Sequence, residues 1–238
     1  MKAEEYSNKE EYVHAVFSAI AHKYDFLNTA LSFNRDKYWR RFAMKQSGLQ
    51  MGDKGLDVCC GTGMLTLQMA EVTGMSGQVT GLDFCEEMLS VARANISKSP
   101  YQSIIQLVEG NAVVLPFDDN TFKCATIGFA LRNVPDIAKT ISEMRRVVVP
   151  GGRVVSLELA KPWLPVFKQL YSFYFNCMVP VLGRLGVGVS GPYKWLPDSL
   201  KAFPHQSEIR DIFADTGLKN SHYYELTGGI VAVHVGDK

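Results

Sequence analysis

The sequence is poor in the features that mark several large classes of protein. Its five cysteines include no Cys-x-x-Cys pair, so we expect neither a disulfide framework nor a zinc site, and we predict no metal. No run of about eighteen apolar residues is free of charge and proline, so no transmembrane helix is predicted. The polar segment Met1–Glu11 has no apolar stretch typical of a secretory signal. These absences favour a protein of the reducing cytoplasm.

The charges have no dominant sign. Lys and Arg number 25 against 24 Asp and Glu, which leaves a net charge of +1 and indicates no nucleic-acid partner. The one basic run is interpreted as the solvated face of a helix; it contains Arg35, Lys37, Arg40, Arg41 and Lys45. The histidines show no pairing typical of a catalytic base, and each is interpreted as a surface residue; they are His14, His22, His205, His222 and His234.

Strand patterns alternate with helical patterns through most of the chain. The predicted strands are Gly55–Cys60, Gln78–Leu82, Ile104–Val108, Lys123–Ile127 and Arg153–Leu159, with two late strands at Leu218–Tyr224 and Gly229–Val235. This alternation predicts an α/β fold with a mostly parallel, doubly wound sheet and helices on both faces. The two late strands predict a C-terminal antiparallel hairpin at one edge, which makes a seven-stranded sheet.

The length of 238 residues fits one domain, within which four regions differ in composition. Residues 1–48 carry helical patterns over Tyr12–Tyr24 and Asp36–Ser47 and are predicted to form a lid. Residues 49–160 form the alternating core, and 206–238 hold the last helix and the hairpin. Between them, 161–205 is rich in aromatic residues and is interpreted as a helical insertion for the substrate.

The first strand ends in a glycine loop, which runs from Asp57 through Gly61 and Thr62 to Gly63. Glycine lets the backbone pass close to a ligand, and ligands of parallel sheets bind beyond the carboxyl ends of the strands. The third glycine of a dinucleotide site and the Lys of a phosphate-binding loop are both absent. The loop therefore suits a ligand without phosphate, such as S-adenosylmethionine, although an ordinary tight turn is an equal alternative.

Two further polar motifs follow strand ends on the same side of the predicted sheet. Asp83 ends the second strand, where a carboxylate can accept hydrogen bonds from both ribose hydroxyls. The pair Asn111-Ala112 follows the third strand, and the Asn111 amide can pair with adenine. Taken alone, Asp83 is as well explained as a helix cap, and Asn111 as a turn residue; the order of the three motifs favours a cofactor site.

Several longer stretches make the chain resemble the menaquinone/ubiquinone biosynthesis C-methyltransferase family, and within it the demethylmenaquinone methyltransferase branch. They include Tyr24–Asn28, Leu56–Thr62, Gly81–Phe84, Gly110–Ala112 and Leu131–Val134. The resemblance covers nearly the whole chain. The chain departs from the branch at Gly63-Met64-Leu65, where Ala-Asp-Trp is frequent, and at Ala130, where Gly is usual.

The resemblance implies a class I S-adenosylmethionine-dependent methyltransferase with a Rossmann-like fold. The expected reaction is C-methylation of demethylmenaquinol to menaquinol. A polyprenyl benzoquinol, another aromatic or lipid acceptor, and a non-catalytic S-adenosylmethionine-binding protein are the alternatives. Residues assigned to the cofactor are Asp57, Gly61, Thr62, Gly63, Asp83, Phe84, Asn111 and Ala112.

Arg132 follows the fourth strand and is the candidate catalytic residue, because a fixed cation would stabilise an ionised quinol. A structural ion pair is the alternative for Arg132, and Tyr24, Asp25 and Tyr193 are lesser candidates for lid contacts or proton transfer. The aromatic stretch Trp163–Leu182 is expected to line a tunnel for the polyprenyl tail. A polyprenylated quinol substrate implies transient contact with the membrane surface, and so a cytoplasmic or peripheral location at its inner face. The oligomeric state stays open.

Overall fold

The computed structural model describes residues 9–162 and 192–238, with the side chains of 192–194 excepted. Most of the predicted aromatic insertion, including Trp163–Leu182 and the side chain of Tyr193, therefore lies outside the described residues. Within the described ranges, every helix is too short or too polar to cross a membrane.

Helices and strands alternate along the described chain as the sequence predicts. The helices are α1 (Lys9–Ile20), α2 (Tyr24–Leu31), α3 (Asp36–Gln46), α4 (Met64–Thr73), α5 (Glu86–Ile96), α6 (Ile137–Val147), α7 (Pro192–Ala202) and α8 (Gln206–Asp215). The strands are β1 (Lys54–Val58), β2 (Gln78–Asp83), β3 (Ile105–Glu109), β4 (Phe122–Gly128), β5 (Val148–Leu159), β6 (Lys219–Leu226) and β7 (Val231–Asp237).

The strands form one seven-stranded sheet in the order β3-β2-β1-β4-β5-β7-β6. The first five are parallel, and β7 pairs antiparallel with both β5 and β6. This confirms the predicted fold class. The order of the strands reverses between β1 and β4, which is where a sheet of this kind opens a crevice for a ligand.

Apolar side chains fill both faces of the sheet. On one face α6 and α8 pack on the strands through Ile141, Met144 and Phe213. On the other face α3 and α4 pack through Trp39 and Met69. Each fully buried side chain of this size contributes roughly 1.5–3 kcal/mol to folding, so the core holds the carboxyl ends of the strands in fixed relative positions.

The N-terminal residues form three helices rather than the two predicted. The stripe Tyr12–Tyr24 is divided by a 3₁₀ turn at Ala21–Lys23, which separates α1 from α2. A second turn at Ser32–Arg35 leads into α3, and its Phe33 and Asn34 have left-handed backbone conformations. α1 packs on α5 and α2 on α3, which sets the start of α2 above the carboxyl ends of the strands.

The prediction of a solvated basic face on α3 is wrong for Arg40. Its guanidinium is buried, forms an ion pair with Asp36 one turn earlier, and lies over the Phe129 ring at 5.6 Å from the centroid. The other four cations of the run are exposed. Residues one turn apart share a helix face, and the face that holds Asp36 and Arg40 is turned towards the sheet.

The surface interpretation of the histidines is wrong for His234. It lies on β7, which has strands on both sides, and it is 1% exposed. One imidazole nitrogen, Nε2, is 2.8 Å from the carbonyl oxygen of Gln206. Burial lowers the pKa of His234 to about 4, so the ring is neutral at physiological pH and has a structural place between β7 and α8.

Candidate functional site

The carboxyl ends of β1, β2, β3 and β4 surround a pocket that α1 and α2 cover. The pocket contains about 670 Å³ of empty space, its open mouth included. Its lining includes Glu10, Val13, Phe17, Tyr24, Cys59, Gly61, Asp83, Phe84, Met88, Asn111, Ala112, Phe129, Ala130 and Asn133. Five of the eight residues assigned to the cofactor from the sequence are in this lining.

The glycine loop turns sharply after β1. Cys59, Gly61 and Gly63 all have positive φ, at 55°, 54° and 80°. A side chain at Gly61 would meet no atom within 4 Å, so glycine is favoured there by its backbone conformation. At Gly63 a Cβ would approach the Cβ of Ala92 to 3.3 Å, so close packing favours glycine there. Gly63 lines neither this pocket nor the smaller cavity beside it, which is described below.

Asp83 connects this loop to the end of β2. One carboxylate oxygen accepts a hydrogen bond from the amide of Gly61 at 2.8 Å, and the other accepts from the amide of Cys85 at 3.0 Å. Burial raises the pKa of Asp83, and the backbone donors oppose this by stabilising the charged form. A carboxylate has about four acceptor positions, so after these two bonds each oxygen can still accept a ribose hydroxyl.

Asn111 is tied to α1, an arrangement that sequence reasoning missed. Its side-chain Nδ2 donates to Oε1 of Glu10 at 2.7 Å, and its Oδ1 accepts from the amide of Val113 at 3.1 Å. The oxygen keeps one lone pair for a ligand amino group. Glu10 lies 101 residues away in the chain, and no local pattern marks this pairing.

A second, smaller cavity adjoins the pocket and shares Tyr24, Gly61 and Phe129 with it. It is also lined by Asp57, Thr62 and Arg40 and contains about 360 Å³ of empty space. The carboxylate of Asp57 accepts from the hydroxyls of Thr66 and Thr126 at 2.7 and 3.0 Å. Burial, the largest effect, raises the pKa of Asp57 to about 6.

Thr62 is held by the start of α2. Its hydroxyl donates to Asp25 Oδ1 at 2.6 Å, and Asn95 donates to the Thr62 carbonyl oxygen at 3.0 Å and to Asp25 Oδ2 at 3.3 Å. Asp25 is therefore a lid contact of the glycine loop. Its neighbour Tyr24 lies between the two cavities.

Polar contacts help to fasten α1 over the pocket, beside the buried side chains of Tyr12, Val13 and Val16. The ammonium of Lys9 donates to the carbonyl oxygens of Arg132 and Val134, at 3.2 and 2.7 Å. Further along α1, the Ser18 hydroxyl donates to Glu87 at 2.9 Å and lies 3.4 Å from both His14 and Cys85. These bonds join α1 to the loops after β4 and β2.

Arg132 lies behind the pocket wall rather than on it. Its Nη1 donates to Glu158 and to the carbonyl oxygen of Phe129, and the residue is 9% exposed. This is the ion pair that the sequence left as an alternative. Within the described ranges, however, no hydrogen-bond partner reaches the buried Nε of Arg132.

The neighbouring Asn133 has a second buried donor of this kind. Its Oδ1 accepts from the indole of Trp195 at 2.9 Å. Its Nδ2 is buried and has no partner among the described residues. Asn133 lines the pocket, so an oxygen atom of a ligand placed there would satisfy a donor that otherwise costs about 1–3 kcal/mol.

Two guanidinium groups act on the phenol of Tyr24. Burial raises its pKa and outweighs the positive charges of Arg132 and Arg40, which lower it; the negative charge of Glu158 raises it further. Arg40 is a site residue that sequence reasoning missed, because its run of cations was interpreted as solvated. The signal available in the sequence was the spacing of Asp36 and Arg40, which places a carboxylate one turn from the guanidinium.

The residues of the two cavities fit S-adenosylmethionine. Asp83 offers acceptors for ribose, Phe17, Met88 and Ala112 give an apolar wall for adenine, and the backbone at Gly61 is unobstructed. The cofactor is a sulfonium with an ammonium group, so the carboxylate of Asp57 has the complementary charge.

Comparison with known proteins agrees with this geometry. Residues 5–238 match the model of the ubiE/COQ5 methyltransferase family, so the chain belongs to that family. It is 48% identical to the demethylmenaquinone methyltransferase of Desulfitobacterium hafniense, over 97% of this chain and 91% of that protein. Identity to the demethylmenaquinone methyltransferase of Shouchella clausii is 47%, over 97% and 98% of the two chains.

Solved structures share the fold at much lower identity. A SAM-dependent methyltransferase from Aquifex aeolicus is 18% identical, with a TM-score of 0.61 over 83% of this chain and 88% of that one. A possible histamine N-methyltransferase from Thermotoga maritima is 15% identical, with a TM-score of 0.65 over 95% and 99%. These likenesses confirm the methyltransferase fold.

Replacing Asp83→Asn should weaken S-adenosylmethionine binding by about tenfold to a hundredfold, because charge-assisted hydrogen bonds to ribose are worth about 1.5–3 kcal/mol. Isothermal titration calorimetry measures the effect. Glu109→Gln is the matched control, since Glu109 lies opposite Asp83 on β3, is exposed and lines neither cavity. If Asp83→Asn and Glu109→Gln bound S-adenosylmethionine with equal affinity, Asp83 would not be a cofactor residue.

Asp57 should make stability depend on pH in a defined direction. Its pKa is about 6 when folded against an ordinary 3.8, so the folded state prefers the protonated form. Its contribution is present below about pH 4 and is lost as the pH rises through about 6. Over that interval, the free energy of unfolding of the wild type should fall by about 3 kcal/mol relative to Asp57→Asn. Urea denaturation at several pH values measures the free energy of unfolding of both proteins. If these two free energies changed with pH in parallel, Asp57 would not have a raised pKa in the folded state.

Proposed function

We propose that this member of the ubiE/COQ5 methyltransferase family methylates a ring carbon of demethylmenaquinol, with S-adenosylmethionine as the methyl donor, in menaquinone biosynthesis. The identity of 45–48% to demethylmenaquinone methyltransferases over at least 97% of the chain supports this most strongly. The cofactor residues on the carboxyl ends of β1, β2 and β3 support the use of S-adenosylmethionine.

The reaction asks two things of the protein. The bound cofactor supplies an electrophilic methyl group, and the aromatic carbon becomes nucleophilic enough when a neighbouring hydroxyl is ionised. Ionising a phenol with a pKa of about 10 at pH 7 costs about 4 kcal/mol. The residues around the acceptor must lower this cost and hold the carbon in line with the methyl group, which can supply about 7–11 kcal/mol.

Positive charge near Tyr24 works towards the first requirement. Arg132 and Arg40 lower the pKa of the Tyr24 phenol, while burial and the charge of Glu158 raise it, and a quinol hydroxyl beside this phenol would experience the same positive charges. Asn133 lines the pocket, and its Nδ2, which has no partner among the described residues, is the donor assigned to the quinolate oxygen. Arg132 lies behind this wall, where Glu158 fixes its guanidinium, and contributes positive charge without a direct bond.

The lid also serves the first requirement, because it excludes water from the pocket. α1 and α2 close the pocket through Lys9, Glu10 and Asp25. Water exclusion strengthens the interaction between the guanidinium of Arg132 and a developing oxyanion. We infer that the lid opens for cofactor exchange, because residues of α1 and α2 cover the pocket assigned to the cofactor.

The location follows from the substrate. A polyprenylated quinol stays in the bilayer, so the protein works at the inner face of the membrane through transient surface contact. The aromatic stretch Trp163–Leu182 remains a prediction for the tail tunnel, since it lies outside the described residues.

Methyl transfer from radiolabelled S-adenosylmethionine to a short-chain demethylmenaquinone tests the reaction. Label should enter the naphthoquinone only when dithionite reduces it, because the quinol and not the quinone has an ionisable hydroxyl. Label in a benzoquinol analogue but not in the naphthoquinol would overturn the assignment of demethylmenaquinol as the substrate. Cofactor binding without any label in either acceptor would overturn the activity.

Arg132→Lys tests the role of the guanidinium. The substitution keeps a charge opposite Glu158 but removes the planar guanidinium that holds this charge at one place, so kcat should fall about tenfold. The rising limb of the kcat–pH profile should move to higher pH, because the quinolate is less stabilised. Arg146→Lys is the matched control, since Arg146 also pairs with a glutamate, Glu143, away from the site. A loss of stability with an unchanged pH profile would make Arg132 purely structural.

A further inference from the structure

We propose that the outer face of α2 and α3 is a docking surface for an anionic lipid bilayer. This surface, the α2–α3 face, consists of the exposed aromatic residues Phe26, Phe33 and Tyr38 and the exposed cations Arg35, Lys37, Arg41 and Lys45. The proposal rests on the proposed function only in that a polyprenylated substrate would be taken from a bilayer.

The aromatic side chains are unusually exposed for their size. Phe26 is 71% exposed, Phe33 75% and Tyr38 45%. In the described residues, Tyr224 is the one other exposed large aromatic side chain. Clustered exposed apolar groups indicate an interaction site, and rings at the level of lipid headgroups are typical of proteins that contact bilayers.

Helix geometry accounts for the exposure of these rings. On α2, Leu27 is buried and Tyr24 lines the site, so Phe26 lies on the opposite side. Phe33 follows in the turn, with a left-handed φ of 50° and an amide bonded to the carbonyl oxygen of Ala30 at 3.2 Å. Tyr38 begins the exposed side of α3, since Trp39 is buried.

Charge is concentrated in the same segment. Residues 22–46 contain six Lys and Arg and two Asp, a net +4, whereas the whole chain has a net +1 and the remainder therefore −3. Both aspartates are engaged: Asp36 is buried against Arg40, and Asp25 bonds to Thr62 and Asn95. The exposed cations of the α2–α3 face thus have no exposed acidic neighbour within this segment.

This combination favours an anionic bilayer over other partners. A second copy of the chain, docked by the same face, would bring the two sets of cations together. A nucleic acid would match the charge but leave the phenylalanines without an apolar environment. An anionic membrane offers negative charge to the cations and an apolar environment to the phenylalanines. Each cation near its surface strengthens binding about fivefold.

The position of the face also suits the site. α2 begins at Tyr24, which lies between the two cavities. A bilayer on the outer side of α2 would therefore meet the protein within one helix of the acceptor pocket.

Vesicle co-sedimentation of the full chain tests the proposal. The vesicles are pure phosphatidylcholine, or phosphatidylcholine mixed with an equal part of phosphatidylglycerol. The protein should bind the anionic vesicles and be released by salt, which screens the cations. Arg41→Gln with Lys45→Gln should lower the partition coefficient about 20-fold, and Phe26→Ser with Phe33→Ser about tenfold.

Matched controls replace exposed residues of the same kinds elsewhere. Met51→Ser with Met75→Ser changes side chains that are 79% and 59% exposed, in turns before β1 and β2 at the opposite end of the strands. Lys98→Gln with Lys219→Gln removes two exposed cations. Both controls should bind vesicles as the wild type does. Methyl transfer to a short-chain acceptor in solution should be unchanged in all four variants.

Three outcomes would overturn the proposal. The first is equal binding to both kinds of vesicle, or none. The second is an equal loss of binding in the face variants and in the controls. The third is a wild-type oligomer in sedimentation equilibrium that Phe26→Ser with Phe33→Ser dissociates, which would make the face a contact between copies. Failure of methyl transfer alone would overturn the proposed function and leave vesicle binding to be judged separately.

Discussion

The hydrogen bond from the amide of Gly61 to the carboxylate of Asp83 joins two strand ends on which the site depends. It spans 22 residues of sequence and draws the glycine loop after β1 against the end of β2. The sheet makes this possible, since Asp57 and Gly81 are parallel neighbours in β1 and β2. The bond also accounts for the burial of Asp83: the charge is kept next to backbone donors, which offset part of the cost of desolvation.

The lid combines apolar packing with hydrogen bonds to the loops of the site. Tyr12, Val13 and Val16 of α1 are buried, and Ala21 packs with Met88 of α5. Lys9, Glu10 and Asp25 add hydrogen bonds to the loops after β4, β3 and β1. Hydrogen bonds of half-exposed groups are worth about 0.5–1.5 kcal/mol each, so these bonds set the position of the lid on the pocket, while apolar contacts attach it to the core.

The fold could be predicted because its signals are local. Alternating patterns marked each strand, and Asp83 was expected at the end of the second strand, where the structure has it; its role towards the cofactor stays a prediction. Arg40, Asn111 and His234 show where such signals end. Their environments are set by Asp36 and Phe129, by Glu10, and by the strands beside β7. Burial of a polar side chain depends on which face a helix or strand turns to the core, and composition does not encode it.

The charges of the site suit a sulfonium cofactor on one side and an ionised quinol on the other. Carboxylates at Asp57 and Asp83 lie beside the loops assigned to the sulfonium cofactor. Guanidinium groups at Arg40 and Arg132 act on the phenol of Tyr24 at the junction of the two cavities. These charges would stabilise the two reactants, the sulfonium and the quinolate, before the methyl group is transferred. Ion pairs with Asp36 and Glu158 hold both guanidinium groups in place, so the quinolate would be stabilised with little reorganisation of the site.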